Sequence, residues 1–164
     1  MESARVSRLG MLFVAVMAGL WTTHLKAQER LTITLESGPA SFVAVSPDSK
    51  ILASGNVLDT TIRLWNAKTG KELLKPKGHV VGSLIMGTCS VTFSPDGKTF
   101  AVARGKLSSS SEKGEGSITF WDTKTWKETR TLRGHDDIVR PIAFSPDGKT
   151  LTSGSEDKTI VTTQ

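Results

Sequence analysis

One turn-forming heptapeptide occurs three times in this chain of 164 residues, and it constrains the fold more than any other feature. The copies are Phe93–Thr99, Phe144–Thr150 and, in a looser form, Val45–Ile51. Neighbouring copies lie roughly 50 residues apart, a period typical of repeat architectures. Proline presets the second position of a tight turn, and glycine closes the turn without steric cost. Because alternating apolar residues flank each copy, the pattern predicts a hairpin that recurs three times.

The composition favours an all-β globular protein. Hydrophobic residues make up 37% of the chain and charged residues 23%, which is typical neither of a disordered nor of a membrane-spanning chain. Around the first turn, period-two alternation predicts strands at 30–35, 42–45, 51–54 and 61–65, with a further strand starting at Glu72. The second unit repeats this order. Each unit is therefore expected to be a small antiparallel sheet of four strands.

Residues 1–27 have the pattern of a secretory signal peptide. Arg5 and Arg8 precede the uncharged stretch 9–20, and Ala27 is a small residue suited to cleavage before Gln28. The alternative is an uncleaved membrane anchor, but a span needs roughly 20 apolar residues, and polar residues follow too early. The leader predicts export, to a periplasm or out of the cell.

Charge and cysteine content argue against a nucleic-acid partner and an internal disulfide. The formal net charge is +5, and removing the predicted leader lowers it. The remaining charges are scattered, so no basic stripe with interleaved aromatic residues predicts a nucleic-acid partner. We expect no membrane association after cleavage. Cys89 is the only cysteine, so the chain cannot form an internal disulfide.

Several further motifs accompany the repeated turns at matching offsets. They are Gly78-His79, Gly134-His135, Leu52–Gly55, Thr61–Asn66 and Phe120–Asp122. Together they resemble WD40 repeats, and the resemblance covers about residues 30–163. It implies a β-propeller fragment of two full four-stranded blades and an incomplete third. The expected WD40-repeat region is 28–164, with units at about 37–79, 80–135 and 136–164 and a candidate closing strand at 30–35.

The resemblance also implies a hydrogen-bonded set of His, Ser or Thr, Asp and Trp in each blade. The matching positions are Ser54, Asp59 and Trp65 in the first unit, His79 and Trp121 in the second, and His135, Ser153 and Asp157 in the third. The departures are Glu36 for His, Val102 for the hydroxyl, Glu115 for the acid and Thr163 for Trp. No unit holds the complete set, which puts the rigidity of the blades in doubt rather than the fold.

Neither catalysis nor metal binding is predicted. His135, Ser153 and Asp157 are the residue types of a hydrolase triad, but the repeat explains all three, and a triad is recognised by geometry. Each repeated turn contributes one carboxylate, which falls short of an oxygen-ligand calcium site. We therefore expect no cofactor, no metal and no enzymatic activity.

The second unit carries two extra segments, 80–90 and 104–117. By resemblance, both emerge on the same face of a blade, and loops on a rigid sheet are common recognition sites. We predict a partner-binding face with Arg104, Lys106 and Lys113, to which Trp126 is added as an exposed aromatic residue. The alternative is a surface insertion without a function.

The chain is thus interpreted as an exported scaffold for protein–protein interaction, with unknown protein partners. The alternatives are the sensor or binding part of a larger enzyme, and a non-functional propeller fragment. Because propellers close with roughly four to eight blades, the two full units and most of a third leave two hypotheses open. Either the repeats belong to a longer gene product, or chains self-associate to complete a propeller.

Overall fold

The computed structural model describes residues 5–8, 31–34, 40–56, 62–74, 86–106 and 114–164. These residues form thirteen β-strands. The first two, β1 (Arg5–Arg8) and β2 (Leu31–Thr34), pair antiparallel as a small separate sheet. The predicted strand at 30–35 is therefore confirmed, but β2 pairs with β1 and not with a blade. Most of the predicted leader lies outside the described residues.

The other strands form three antiparallel sheets, which confirms the predicted all-β class and partial set of blades. The first blade contains β3 (Phe42–Val45), β4 (Ile51–Gly55), β5 (Ile62–Asn66) and β6 (Glu72–Leu74). The second contains β7 (Met86–Phe93), β8 (Thr99–Lys106), β9 (Glu115–Asp122) and β10 (Glu128–His135). The third contains β11 (Val139–Phe144), β12 (Leu151–Ser155) and β13 (Ile160–Thr163). Within each sheet the strands pair in chain order.

The repeated heptapeptide forms the turn that the sequence predicts. In the second blade, Ser94 Oγ donates to Asp96 Oδ1 at 2.6 Å and accepts from the backbone N–H of Thr99 at 2.9 Å. Gly97 adopts φ of 70°, in the left-handed region that glycine enters without a Cβ penalty. The serine and aspartate bonds recur in the other two blades. Local side-chain bonds thus fix the first hairpin of each blade.

Turns of consecutive blades lie against each other. A Cβ on Gly97 would lie 3.7 Å from Pro47 Cδ, and one on Gly148 would lie 3.4 Å from Pro95 Cδ. In the first blade Ser49 takes the glycine position with φ of 57°, a conformation that costs roughly 1–2 kcal/mol for a residue with a Cβ. The turns therefore form a continuous row along one end of the blades.

The core lies between the blades in two layers. Successive residues of β8 point to opposite faces of its sheet, so this central strand contributes to both layers. Phe100 and Val102 pack towards the first blade, whereas Ala101 and Ala103 pack towards the third. The first layer joins Ala53, Ile62 and Leu64 to Val91, Phe93, Phe100, Val102 and Trp121. The second joins Ala101, Ala103, Ile118 and Phe120 to Val139, Ile142 and Leu151.

The extra segment at 104–117 was expected to form a loop, but part of it extends two strands. The strand β8 continues to Lys106 and β9 begins at Glu115, with these two residues as register partners. Arg104 likewise pairs with Ser117. Much of the inserted segment therefore lengthens a hairpin, and only residues 107–113 lie outside the described part. Glu115, which stands where the repeat would place Asp in the second unit, forms an ion pair with Arg133 of β10.

The lengthened hairpin packs closely against the segment that leads into the third blade. A Cβ on Gly105 would lie 2.3 Å from Ile138 Cα, and one on Gly116 would lie 2.3 Å from the carbonyl oxygen of Asp137. Only glycine permits such an approach of two backbones. These two glycines therefore determine how closely the second and third blades meet at this end.

Candidate functional site

Three of the predicted side chains form a hydrogen-bonded network in the third unit. His135 ends β10, Ser153 lies on β12, and Asp157 lies in the turn between β12 and β13. The Nδ1 atom of His135 lies 2.9 Å from Asp157 Oδ2, and its Nε2 atom lies 2.9 Å from Ser153 Oγ. Hydrogen bonds from Thr159 and His135 hold the pKa of Asp157 far below its usual range. The network therefore contains an ionised aspartate.

This network braces two blades rather than presenting a nucleophile. His135 belongs to the second blade by its strand, whereas both of its partners belong to the third. The exposed fraction is 7% for His135 and 4% for Ser153, and Ser153 Oγ also lies 3.4 Å from the carbonyl oxygen of Val161. A substrate would need to reach this hydroxyl through the core. The arrangement thus fits the structural role that the repeat implies.

The first blade contains the serine–tryptophan hydrogen bond that the repeat implies. The indole N–H of Trp65 donates to Ser54 Oγ at 2.8 Å, and both residues are buried. The third predicted member, Asp59, lies outside the described residues. In this blade the hydroxyl on β4 therefore satisfies a buried indole on β5, as predicted from the repeat positions.

The second blade lacks this bond. Trp121 is 3% exposed, and its Nε1 atom is buried without a hydrogen-bond partner within the described ranges. Val102 occupies the strand position that Ser54 and Ser153 occupy in the other blades. The predicted His79 lies outside the described residues. The departure at Val102 thus leaves a buried donor unsatisfied, which costs about 1–3 kcal/mol.

Replacing Val102 with threonine is expected to restore the missing bond. A buried valine normally loses stability on this change, because the new hydroxyl must be desolvated. Here the hydroxyl lies at the position where Ser54 accepts the indole N–H of Trp65, so it would meet Trp121. We expect the free energy of unfolding to change by less than about 0.5 kcal/mol or to rise. Urea denaturation followed by tryptophan fluorescence measures it.

The matched control is Val91→Thr, at a second buried valine of the same core layer. Val91 lies on β7, and among the described residues of that strand there is no buried hydrogen-bond donor without a partner. This variant should lose about 1–2 kcal/mol. Equal decreases in the free energy of unfolding of both variants would show that a hydroxyl at position 102 forms no stabilising hydrogen bond with the Trp121 indole.

The predicted partner face is only partly defined. Arg104 is half-buried, and this burial lowers the pKa of its guanidinium below the ordinary value. Lys106 ends β8, but its side chain lies outside the described part, as does all of Lys113. Segment 80–90 is described only from Met86 onward. The side-by-side arrangement of the two loops therefore stays a prediction.

Trp126 lies near the opposite end of β8 from Arg104, and it is half-buried rather than the exposed aromatic residue that was expected. Its ring packs edge-on against Phe100 at 5.8 Å, near the start of β8, whereas Lys106 ends the same strand. The backbone N–H of Trp126 donates to the backbone carbonyl of Asp122 at 2.7 Å, as the backbone N–H of Gly70 does to Asn66 in the first blade. Trp126 thus takes a glycine position, with φ of 53°. The packing of the ring against the core offsets this strain.

A polar cleft of about 330 Å³ lies between the second and third blades, at the end where the repeated turns lie. The strand β10 contributes Thr129 and Arg130, and the two turns contribute Asp96 and Asp147. The rest of the lining is Ser94, Thr99, Phe120, Phe144 and Gly148. This cleft was not predicted from the sequence. The repeated aspartates are visible there, but no sequence signal places Arg130 beside them.

The cleft combines an aromatic wall with charges of both signs. The guanidinium carbon of Arg130 lies 4.5 Å from the centroid of the Phe120 ring, and Phe120 meets Phe144 edge-on at 6.5 Å. Hydrogen bonds from serine hydroxyls lower the pKa of Asp96 and of Asp147. Both carboxylates are therefore ionised at neutral pH. Asp96 forms an ion pair with Lys98 at 3.9 Å, so the cleft can offer the Arg130 cation and the Asp147 anion to one ligand.

Two features of the described residues bear on other functions. Nowhere in these ranges do three or more His, Cys, Asp or Glu side chains gather as metal ligands would. The same part of the chain contains no helix with the length and apolar character required to cross a membrane.

Comparison with known proteins supports the same architecture. The family described as WD domain, G-beta repeat matches residues 30–66 and 126–161. The first match covers β2 to β5, and the second runs from just before β10 into β13. Both matched segments are therefore WD40 repeats.

The curated relatives are longer proteins. Nuclear distribution protein PAC1 of Coccidioides posadasii is 28% identical over 81% of this chain and 36% of its own length. Protein FIZZY-RELATED 3 of Arabidopsis thaliana is 28% identical over 86% of this chain and 27% of its own length. WD repeat-containing protein srw1 of Schizosaccharomyces pombe is 31% identical over 67% of this chain and 18% of its own length. The chain thus spans about a third or less of the length of these relatives. WD40 domains in general bind protein partners.

Proposed function

We propose that this chain is an exported, non-catalytic scaffold that binds another protein through the turn-bearing end of its blades. The observation that carries the proposal is the contrast between interior and surface. The buried Asp157–His135–Ser153 network braces the blades, whereas the cleft at the turns presents an arginine and two ionised carboxylates to solvent. The aspartate, histidine and serine of this network thus stabilise the fold, and the charged groups at the surface are the ones that can bind a partner.

The rigidity of the blades supports this role. Two apolar layers join the three sheets, and the turns that border the cleft are each fixed by their own serine and aspartate side chains. Recognition groups on a rigid sheet lose little conformational entropy on binding. The leader pattern at residues 1–27 supports the export part of the proposal.

One experiment in the native host tests both parts. The full chain, tagged at its C-terminus, is collected from the exported fraction after treatment with a membrane-impermeant amine cross-linker. We expect a tagged chain that begins at Gln28 and a cross-linked adduct with another protein. The control variant Val14→Arg places a charge in the apolar stretch and should keep the chain inside the cell, unprocessed.

The two parts fail separately. An intact N-terminus on an intracellular chain would overturn export. A processed chain that yields no adduct under any cross-linking condition would overturn the scaffold.

A further inference from the structure

We propose that the cleft between the second and third blades binds an extended peptide segment that carries one carboxylate and one basic side chain. The carboxylate would pair with Arg130 and the basic group with Asp147. This proposal rests on the scaffold function proposed above and specifies its binding site and the chemistry of its partner.

Two opposite charges of the cleft lack ion-pair partners within the described residues. The guanidinium of Arg130 lies over the Phe120 ring, but no carboxylate lies within ion-pair distance of it. The Oδ1 atom of Asp147 accepts one hydrogen bond from the Ser145 hydroxyl at 2.6 Å and another from the backbone N–H of Lys149 at 3.1 Å. These bonds leave Oδ2 available. A ligand with both charges could therefore pair with groups that do not pair with each other.

The wall of the cleft holds these charges in place. Stacking on an aromatic ring restricts the guanidinium plane, and a restricted arginine loses less freedom when it forms a bidentate bond with a carboxylate. The Ser145 and Lys149 bonds likewise fix the Asp147 carboxylate. Phe120 and Phe144 offer apolar surface for the aliphatic part of a ligand side chain.

The charge balance favours a peptide over other ligands. A phosphate or a nucleic-acid backbone would face the carboxylate of Asp147 beside the single arginine, whereas the charge of Asp96 is already paired with Lys98. A purely cationic ligand would face Arg130. A peptide can present both signs at a fixed spacing, and a cleft of about 330 Å³ has room for two of its side chains. Free amino acids carry both charges too, so they serve as competitors in the test.

The test uses the purified full chain and an array of synthetic decapeptides. Each peptide carries one Glu and one Lys, at every spacing the length allows, in a background of Gly, Ser and Ala. Peptides with only the Glu or only the Lys are included. The best binder is then titrated by fluorescence anisotropy at low and moderate salt, because exposed ion pairs weaken as salt rises.

We expect peptides with both charges to bind at a preferred spacing. The variant Arg130→Gln should weaken their binding about three- to tenfold and abolish the preference for Glu. Asp147→Asn should weaken binding by a similar factor and abolish the preference for Lys. Arg130→Glu should bind peptides in which a second Lys replaces the Glu, a gain that a merely misfolded variant cannot show.

Two matched variants control for indirect effects. Asp48→Asn changes the equivalent turn carboxylate of the first blade, which makes the same local bonds but does not line the cleft. Arg133→Gln removes another exposed arginine of β10, one that is paired with Glu115. Neither should alter peptide binding.

Three outcomes would overturn the proposal. They are the absence of binding by any peptide, binding that depends on only one of the two charges, and complete competition by free glutamate and lysine. If the cross-linking experiment yields an adduct but no peptide of the array binds, the proposed scaffold function stands and the proposed binding site is wrong. If neither gives a signal, both proposals fail.

Discussion

Replacing Gly105 with alanine is expected to destabilise the chain by about 3 kcal/mol. The new Cβ would lie 2.3 Å from the Cα atom of Ile138, a backbone atom that no rotamer change can move. The lengthened hairpin of the second blade would have to move away from the segment leading into the third. Because core residues Ala103 and Val139 pack between these blades, that displacement would also loosen the second apolar layer.

Urea denaturation gives the free energy of unfolding for this comparison. The matched control is Gly154→Ala, at a strand glycine of the third blade whose added Cβ would meet only the Pro141 ring, at 3.0 Å. That ring can shift slightly, and the second blade has an alanine, Ala103, at the equivalent position. The control should lose less than about 1 kcal/mol. Equal stabilities for the two variants would show that the blades do not approach as closely as described.

Replacing His135 with alanine is expected to cost about 3 kcal/mol. The change leaves a cavity and removes the imidazole that lies 2.9 Å from both Ser153 Oγ and Asp157 Oδ2. Because Ser153 is buried, water cannot readily replace the lost partner. Arg133→Ala is the control on the same strand, since its exposed ion pair with Glu115 should contribute at most about 1 kcal/mol. Similar losses in both variants would contradict the bracing role of His135.

The pH dependence of stability gives a second readout on the same network. The pKa of Asp157 is lower in the folded chain than its ordinary value of 3.8, so its ionised form stabilises the fold above that pH. This contribution is lost as the pH falls below about 4. In His135→Ala one of the hydrogen bonds that lower this pKa is missing, so the loss of stability in acid should be less steep than in the natural chain. An unchanged acid slope would show that the imidazole does not act on this carboxylate.

Much of the fold could be predicted because its determinants are local. The Ser-Pro-Asp-Gly turns carry their own hydrogen bonds, and the alternation of apolar residues assigns each strand position to one face of its sheet. For the same reason, repeat positions placed Ser54 against Trp65 and grouped His135, Ser153 and Asp157 correctly. The unsatisfied indole of Trp121 follows from the exchange at Val102, which is visible in the sequence.

The tertiary structure decided what happens between blades and at strand ends. The extra segment at 104–117 was expected to form a loop, but β8 and β9 pair up to Lys106 and Glu115, because backbone pairing in a hairpin can outweigh weak residue preferences. The turn position of Trp126 suggested exposure, yet its ring packs against Phe100.

The cleft depends on contacts that no local pattern encodes. Arg130, Asp96 and Asp147 come from one strand and two turns, and they line one cleft only because two sheets pack face to face at a particular distance. That distance is limited by glycines such as Gly105, whose close contact is with a residue remote in sequence. The sequence by itself determined the blades, since strand, turn and face are set by neighbouring residues. The surface offered to a partner was decided by the packing of one blade on the next.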